Sequence, residues 1–379
     1  MGEINSGAKP PQRLSGLVAK YGLSPPQVAW LRAAGVRTEA DMYSFLVASP
    51  DLGAREIFDT PGLTSQLART DKVMAMMSGV EKFEREGLIA FGAKAPPNAP
   101  FQQGAKVEDF TPSQLSALAN LEQRAPALDS IQPSYTCGPW AIRNQGQRGT
   151  CVSFAMIALY EHYLCKTADR AVDLSEQFLY WALKYHNLDP YTNQDGTWFE
   201  YLAPVLATYG TCAESDWKYD PDIRPDVSHN PPAAGAEAAA KPNKTNKAKV
   251  QTFSTASGNA AHLLSALNKH GAVGISVPVF SHPSSRNNHN WNTSAALSYG
   301  AVQNPLPSWS VDGGHAVCVV GFVPDSEEPL GGHFIIRNSW GASFGSRLPD
   351  SSYAGPAPGY GQISASYIDK YLWELCVFG

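Results

Sequence analysis

The segment Asn144-Gln145-Gly146-Gln147-Arg148-Gly149-Thr150-Cys151 runs straight into VSFAMIALYEHYL, an apolar stretch with helical spacing. A thiol in the first turn of such a helix meets the positive end of the helix dipole and unpaired backbone N–H groups, and both favour the thiolate. Gly146 and Gly149 allow the tight backbone that this turn needs. Gln145 carries a neutral amide that can donate to an oxyanion forming beside the thiol. A cysteine opening a helix is also a common small buried hydrophobe, so the reading depends on finding a base. His315 supplies one, in Asp312-Gly313-Gly314-His315-Ala316-Val317, where it opens an apolar strand. Asn338, in Asn338-Ser339-Trp340-Gly341, closes the strand FIIRN. Its amide can fix the ring of an imidazole without adding charge, and Trp340 can shield that hydrogen bond from water.

These residues need two kinds of element to hold them. From 151 to 185 and from 198 to 209 the apolar spacing is helical, whereas from Val273 onward short β-branched runs dominate, VGISVPVF, AVCVVGFV and HFIIRNSW. Helices first and strands afterwards predict an α+β protein with a helical lobe and a sheet-rich lobe. Ahead of them, residues 1–90 read as a small all-helical module. One helix opens after Ser24, Gly35 to Thr38 stops it and caps the next, and further helical stretches fall near 63–69 and 71–86. Residues 91–129 read as linker and lead-in, exposed and rich in Pro, Gly, Ala and Gln, and 130–379 as the catalytic domain. Two further stretches, 231–249 and 282–310, have the composition of loops.

Composition narrows the function classes. The 379 residues are 43% hydrophobic and 17% charged, enough for a sizeable core and too apolar for a disordered chain. A net charge of −5 without a dense basic run argues against nucleic acid as the main ligand. No window approaches 18 consecutive apolar residues and the N-terminus lacks the apolar core of a secretory signal. The expectation is a cytoplasmic protein off the membrane, with non-classical export left open. The six cysteines form no CxxC pair and no zinc-spaced cluster with histidine, so mostly reduced thiols and no metal are expected.

Taken together, the motifs resemble those of the papain-like cysteine peptidases, in which an NQG-x-x-G-[ST]-C segment starts the central helix, a GHAV-type strand carries the base and an NSWG turn carries the orienting amide. Asp173-Leu174-Ser175-Glu176-Gln177 and Gly359-Tyr360-Gly361-Gln362-Ile363 are similar to two further segments of that family. The resemblance spans roughly 130–379. It implies Cys151 as nucleophile, His315 as base, Asn338 as orienting amide and Gln145 as oxyanion-hole side chain. It also implies that Gly196 and Ala316 line the substrate cleft, between two lobes and without a cofactor. The base and the amide lie farther downstream of the thiol than the family's usual spacing of about 130–150 residues, an excess that the two loop-like stretches can absorb.

Several positions depart from the family. Arg148 stands where a disulfide cysteine is usual, Val152 where a tryptophan follows the nucleophile, and Phe344 where a second tryptophan follows NSWG. The missing disulfide agrees with a reducing compartment. The activity implied is that of a cysteine endopeptidase acting on protein or peptide substrates through an acyl-thioester. A transpeptidase or deamidase using the same thiol, and an inactive peptide-binding scaffold, are the alternatives. For the N-terminal module, the family's interspersed helical propeptide motif is not visible. The expectation is an adaptor for a protein partner, tethered away from the cleft, with an inhibitory role as the rival.

Overall fold

The computed structural model describes residues 14–38, 41–42, 90–109, 111–119, 129–132, 141–191, 193–222, 232–283, 285–345 and 358–379. In chain order the elements are α1 (Leu14–Tyr21), α2 (Pro25–Ala33), α3 (Pro112–Ala119), α4 (Cys151–Ala168), α5 (Glu176–Tyr185), α6 (Phe199–Thr208) and α7 (Ala236–Ala240). Then follow β1 (Ala248–Thr252), α8 (Asn259–His270), β2 (Val273–His282), β3 (Ser285–His289), α9 (Ser294–Tyr299) and β4 (Ser310–Pro324). The chain closes with β5 (Gly332–Arg337), β6 (Tyr360–Ser364), α10 (Ala365–Tyr371) and β7 (Glu374–Phe378). The expected α+β architecture is present, with α4 to α7 in one lobe and an antiparallel seven-stranded sheet, ordered β1-β7-β2-β4-β5-β6 with β3 on β2, in the other.

Strand periodicity explains how one sheet serves two cores. Val273, Ile275, Val277 and Val279 of β2, with Val317 and Val319 of β4, face a core shared with α8 and α10. On the opposite face, Ala316, Cys318 and Val320 of β4 pack with Cys151, Val152, Ala155 and Leu159 of α4. That alternation is the period of two of a pleated strand. Helix α4 is buried on nearly every face, as its all-round apolar sequence requires, and it ends at Asp169 in the left-handed region.

The N-terminal part departs from expectation. Helix α2 begins as anticipated, with Ser24 and Gln27 forming a capping box. However, Leu14, Leu17, Leu31 and Val36 belong to the same core as the sheet. The Arg37 guanidinium donates to Gln362 Oε1 of β6 at 2.8 Å. Residues 90–107 are not an exposed tether either. Ala93, Ala99 and Val107 are buried, Trp373 Nε1 donates to Pro100 O at 2.8 Å, and Val107 and Trp309 pair through their backbones. Pro, Gly and Ala suit a segment whose backbone must lie flat against another chain as well as they suit a linker. The helical stretches near 63–69 and 71–86 lie outside the described residues.

The two loop-like stretches hold short elements that composition hid. Residues 231–249 contain α7 and the start of β1, and 282–310 contain β3 and α9. Thr293 caps α9 by accepting from the Ala296 N–H, and Trp291, Ala295 and Leu297 are buried there. Among the described cysteines, Cys151, Cys212, Cys318 and Cys376 are free thiols. Cys165 is disulfide-bonded, so the argument for a reducing compartment does not extend to this residue. Among the described residues no helix is long and apolar enough to cross a membrane.

One buried cation anchors the loop between α5 and α6. Lys184 Nζ donates to Asp189 Oδ2 at 2.8 Å and to the carbonyls of Tyr191 and Gly196 at 2.9 Å each. Burial lowers the Lys184 pKa, and Asp189 opposes that shift. We predict that Lys184→Met, which strands the Asp189 carboxylate, costs on the order of 3–5 kcal/mol, read as a lower urea midpoint. Lys184→Met combined with Asp189→Asn should lose clearly less, and an equal loss in both would contradict the pairing argument.

Candidate active site

Cys151 is the first residue of α4, after Thr150, and is fully buried. Burial pushes its thiol up to about 11, against backbone N–H groups of Ala316, Gly92, Ala93 and Val152 that pull the other way. Desolvation thus outweighs what these N–H groups, Val152 at the helix start among them, supply. Ala316, packed in the same core as Cys151, is the chain neighbour of His315.

The ring of His315 is fixed from two sides. Asn338 Oδ1 accepts from His315 Nε2 at 2.8 Å and also from the Ser339 backbone N–H at 2.8 Å. A backbone N–H can only donate, so this side-chain atom is the oxygen and Nε2 carries the proton. In the neutral ring Nδ1 is then the basic nitrogen, and among the described residues it has no hydrogen-bond partner. Trp340 stacks on the imidazole at 4.6 Å between centroids and Trp291 meets it edge-on at 5.0 Å. Burial pushes the His315 pKa down to about 4, opposed by the hydrogen bond to Asn338.

Gln145 joins the two lobes at this point. Its backbone N–H donates to Ser339 O at 2.8 Å, and its Oε1 accepts from Ser339 Oγ at 2.6 Å. Its Nε2 donates to Arg148 O at 2.8 Å and to Ala90 O at 3.1 Å. The amide expected to hold an oxyanion thus holds a carbonyl oxygen of this chain's own residue 90.

Residues 90–94 lie across the cleft as a strap between the lobes. Thr197 N donates to Gly92 O and Lys94 N donates to Thr197 O, both at 2.9 Å, as a parallel bridge to the helical lobe. Ala93 N donates to Gly314 O of the sheet lobe, also at 2.9 Å. Gly92 fits because it lacks a side chain: a Cβ there would stand 2.0 Å from Gly149 O. The strap offers the thiol the backbone N–H groups of Gly92 and Ala93.

The two residues expected to line the cleft take different places. Gly196, at φ +96°, uses its N–H on Tyr180 Oη and its carbonyl on Lys184, so the backbone pairing falls to Thr197. Ala316 is buried against the thiol. Arg148, in place of a disulfide cysteine, donates to Gln177 Oε1 and Asp220 O at 2.8 and 2.7 Å. Its guanidinium also lies over the rings of Tyr180 and Tyr219. Val152 is buried, and Phe344 packs edge-on against Trp340 at 5.5 Å. Sequence reasoning missed Phe91, Gly92, Ala93, Thr197 and Lys184. The one available signal was the apolar run Leu88-Ile89-Ala90-Phe91-Gly92, out of place in a solvated linker.

Comparison with known proteins places these observations. The family model described as papain family cysteine protease matches residues 133–348. Cysteine proteinase A of Leishmania mexicana is 22% identical over 269 residues, 66% of this chain and 67% of that protein. An uncharacterized peptidase C1-like protein of Acanthamoeba polyphaga mimivirus is 27% identical over 206 residues, 53% of this chain and 60% of that protein. Among solved structures, xylellain, a cysteine protease from Xylella fastidiosa, aligns at 19% identity and a TM-score of 0.49, covering 76% of this chain and 98% of its own. A digestive procathepsin L 3 of Tenebrio molitor larval midgut aligns at 16% and 0.46, covering 90% and 92%.

The strap and the thiol pKa give a direct prediction. With its pKa raised by burial, Cys151 is a neutral thiol at pH 7 and ionises only as the pH climbs towards 11. Uncovering it removes the largest cause of that shift. In the full chain, iodoacetamide should therefore alkylate Cys151 slowly at pH 7 and faster as pH rises. Gly92→Val, which cannot keep the strap seated, should alkylate many times faster at pH 7. Peptide mapping by mass spectrometry reads the rates, and equal rates would mean that residues 90–94 do not control access.

Proposed function

The chain belongs to the papain family of cysteine proteases, peptide-bond hydrolases, and from that premise we propose that it is a cysteine endopeptidase held latent by its own residues 90–94. Cys151 is the nucleophile, His315 the acid–base group, Asn338 the positioning amide and Gln145 the oxyanion-hole side chain. The observation that carries this reading is the placement of hydrogen-bond partners. Asn338 leaves only His315 Nδ1 free to serve the thiol, while Gln145 Nε2 already holds the carbonyl oxygen of Ala90, in the strap whose Gly92 and Ala93 N–H groups reach the thiol.

With the strap displaced, water reaches the pair and the burial that keeps both groups neutral is relieved. The thiol passes its proton to Nδ1, giving a thiolate and an imidazolium. The sulfur attacks the scissile carbonyl, and negative charge gathers on the oxygen facing the Gln145 amide and the Cys151 backbone N–H. His315 returns the proton to the departing amine, and a water activated by the same ring cleaves the thioester. Asn338 holds the ring in one plane throughout, and Trp340 keeps water from that hydrogen bond. Thr197 and Gly314, which pair with the strap backbone, are the groups that pair with substrate backbone. The N-terminal residues are then inhibitory, not an adaptor, because Leu14, Leu17, Leu31 and Val36 pack on the sheet lobe and residues 90–94 bridge the two lobes.

In the Gly92→Val chain, Cys151→Ala and His315→Ala should each abolish turnover of a fluorogenic peptide without changing the circular dichroism spectrum. Asn338→Ala should leave a weaker enzyme. Gln145→Ala should lower kcat by about 10²–10³ with little change in KM, since its amide is needed chiefly when charge develops. Wild-type turnover by Cys151→Ala would refute the nucleophile assignment, and a change confined to KM would make Gln145 a substrate-binding residue.

A further inference from the structure

The strap occupies the backbone track of the cleft, and one of its side chains also fills a pocket. The Phe91 ring meets His289 at 4.9 Å, Trp340 at 5.7 Å and His315 at 6.0 Å, each edge to face. Beneath it, Gly313 leaves room that a side chain would take, since a Cβ there would stand 3.3 Å from Phe91 Cβ. Such edge-to-face contacts favour aromatic partners beyond what buried area alone supplies.

The chemistry says which part of a substrate meets this pocket. His315 must protonate the departing amine, so the residue that carries that amine lies on the His315 side of the thiol. Trp340, stacked on the same imidazole, bounds that side. The walls define the pocket whichever way the chain filling it runs. His289 is the wall that the acyl-transfer chemistry does not require. It closes β3, and its ring is set by a short relay, Nδ1 to Ser281 Oγ at 2.9 Å and Ser281 Oγ to Asp312 Oδ2 at 2.9 Å. The single hydroxyl hydrogen of Ser281 goes to the carboxylate, so the serine oxygen accepts from His289 and Nδ1 carries the proton. The ring is thereby held against the Phe91 ring, roughly perpendicular to it, and burial keeps it neutral, with Asp312 pulling the other way.

We infer that this peptidase selects substrates with an aromatic residue immediately after the scissile bond, and that His289 is the specificity-determining wall of the pocket that receives it. The inference rests on the peptidase reading above. It accounts for the relay among Ser281, Asp312 and His289, to which that reading assigns no step.

The test uses the full-length Gly92→Val chain and internally quenched peptides of one sequence that differ only after the scissile bond, carrying Phe, Tyr, Leu, Ala or Asp. Mass spectrometry confirms the cleaved bond. The expected result is kcat/KM for Phe and Tyr about 3- to 10-fold above Ala. His289→Ala should bring the Phe-to-Ala ratio towards one, and His289→Phe, which restores an aromatic edge, should recover it. Should Gly92→Val fold poorly, Phe91→Ala empties the same pocket and serves as the second uncovered chain. Cleavage without an aromatic preference, or with a preference that survives His289→Ala, overturns the inference and leaves the peptidase reading standing. No cleavage of any peptide by either uncovered chain overturns both.

Discussion

Cys151 and His315 come from different lobes, so the meeting that the proposed chemistry needs depends on the seam where the turn before α4 is stitched to the turn after β5. The Gln145 N–H binds Ser339 O, Ser339 Oγ binds Gln145 Oε1, and the Gly341 N–H binds Arg143 O. Asn144 and Trp340 form the bridge between them. Through this seam the residue six before the thiol is locked to the residue one after the orienting amide. A slip of about 1 Å here would move thiol, imidazole and oxyanion donor relative to one another, and positioning at that scale governs rate. The Gln145 side chain spends its oxygen on the seam, so only its nitrogen is left to face the cleft. The seam that aligns the lobes also sets which end of that amide a carbonyl oxygen meets.

The strap acts on the same groups through solvation. A thiol raised to about 11 and an imidazole lowered to about 4 are both neutral at pH 7, because each has lost the water that would stabilise its ion. On the proposed reading, covering the site opposes the thiolate–imidazolium pair as well as blocking substrate. The cover needs a glycine where it crosses Gly149 and backbone partners on both lobes, and Gly92, Thr197 and Gly314 meet those needs. Besides those backbone hydrogen bonds, the segment is seated by Ala93 in the core that holds Cys151 and by the Phe91 ring against the core of the sheet lobe.

How much of this was legible follows from where each constraint acts. Cys151, His315, Asn338 and Gln145 stood out because helix-end, strand-end and turn requirements leave local signatures around them. The period-two runs of β2 and β4 likewise announced the sheet. The strap left almost no signature, because its role is carried by backbone atoms that every residue possesses, and its Pro, Gly and Ala content resembles a linker. The 282–310 stretch misled in the same way: its Ser, Asn and Pro masked β3 and α9, although Trp291 and Leu297 signalled burial. Gly196 drew attention as a glycine, whereas the backbone pairing belongs to Thr197, whose side chain says nothing about its N–H and C=O.

The wall that Thr197 belongs to is held by buried charge. Arg148 reaches Gln177 and the carbonyl of Asp220 while lying over Tyr180 and Tyr219, and Lys184 ties Asp189 to the carbonyls of Tyr191 and Gly196. Both cations are buried, so each must be satisfied by several partners to offset its desolvation. That requirement gives the wall a fixed shape, since every carbonyl that turns towards an ammonium or guanidinium fixes a peptide plane. The disulfide-bonded Cys165 sits near the far end of α4, roughly 20 Å from the thiol by helical rise. Reducing it would leave Arg148, Lys184 and their partners in place. In this chain the geometry of the cleft wall is set by desolvated charge, and Cys151 at the head of α4 is a free thiol.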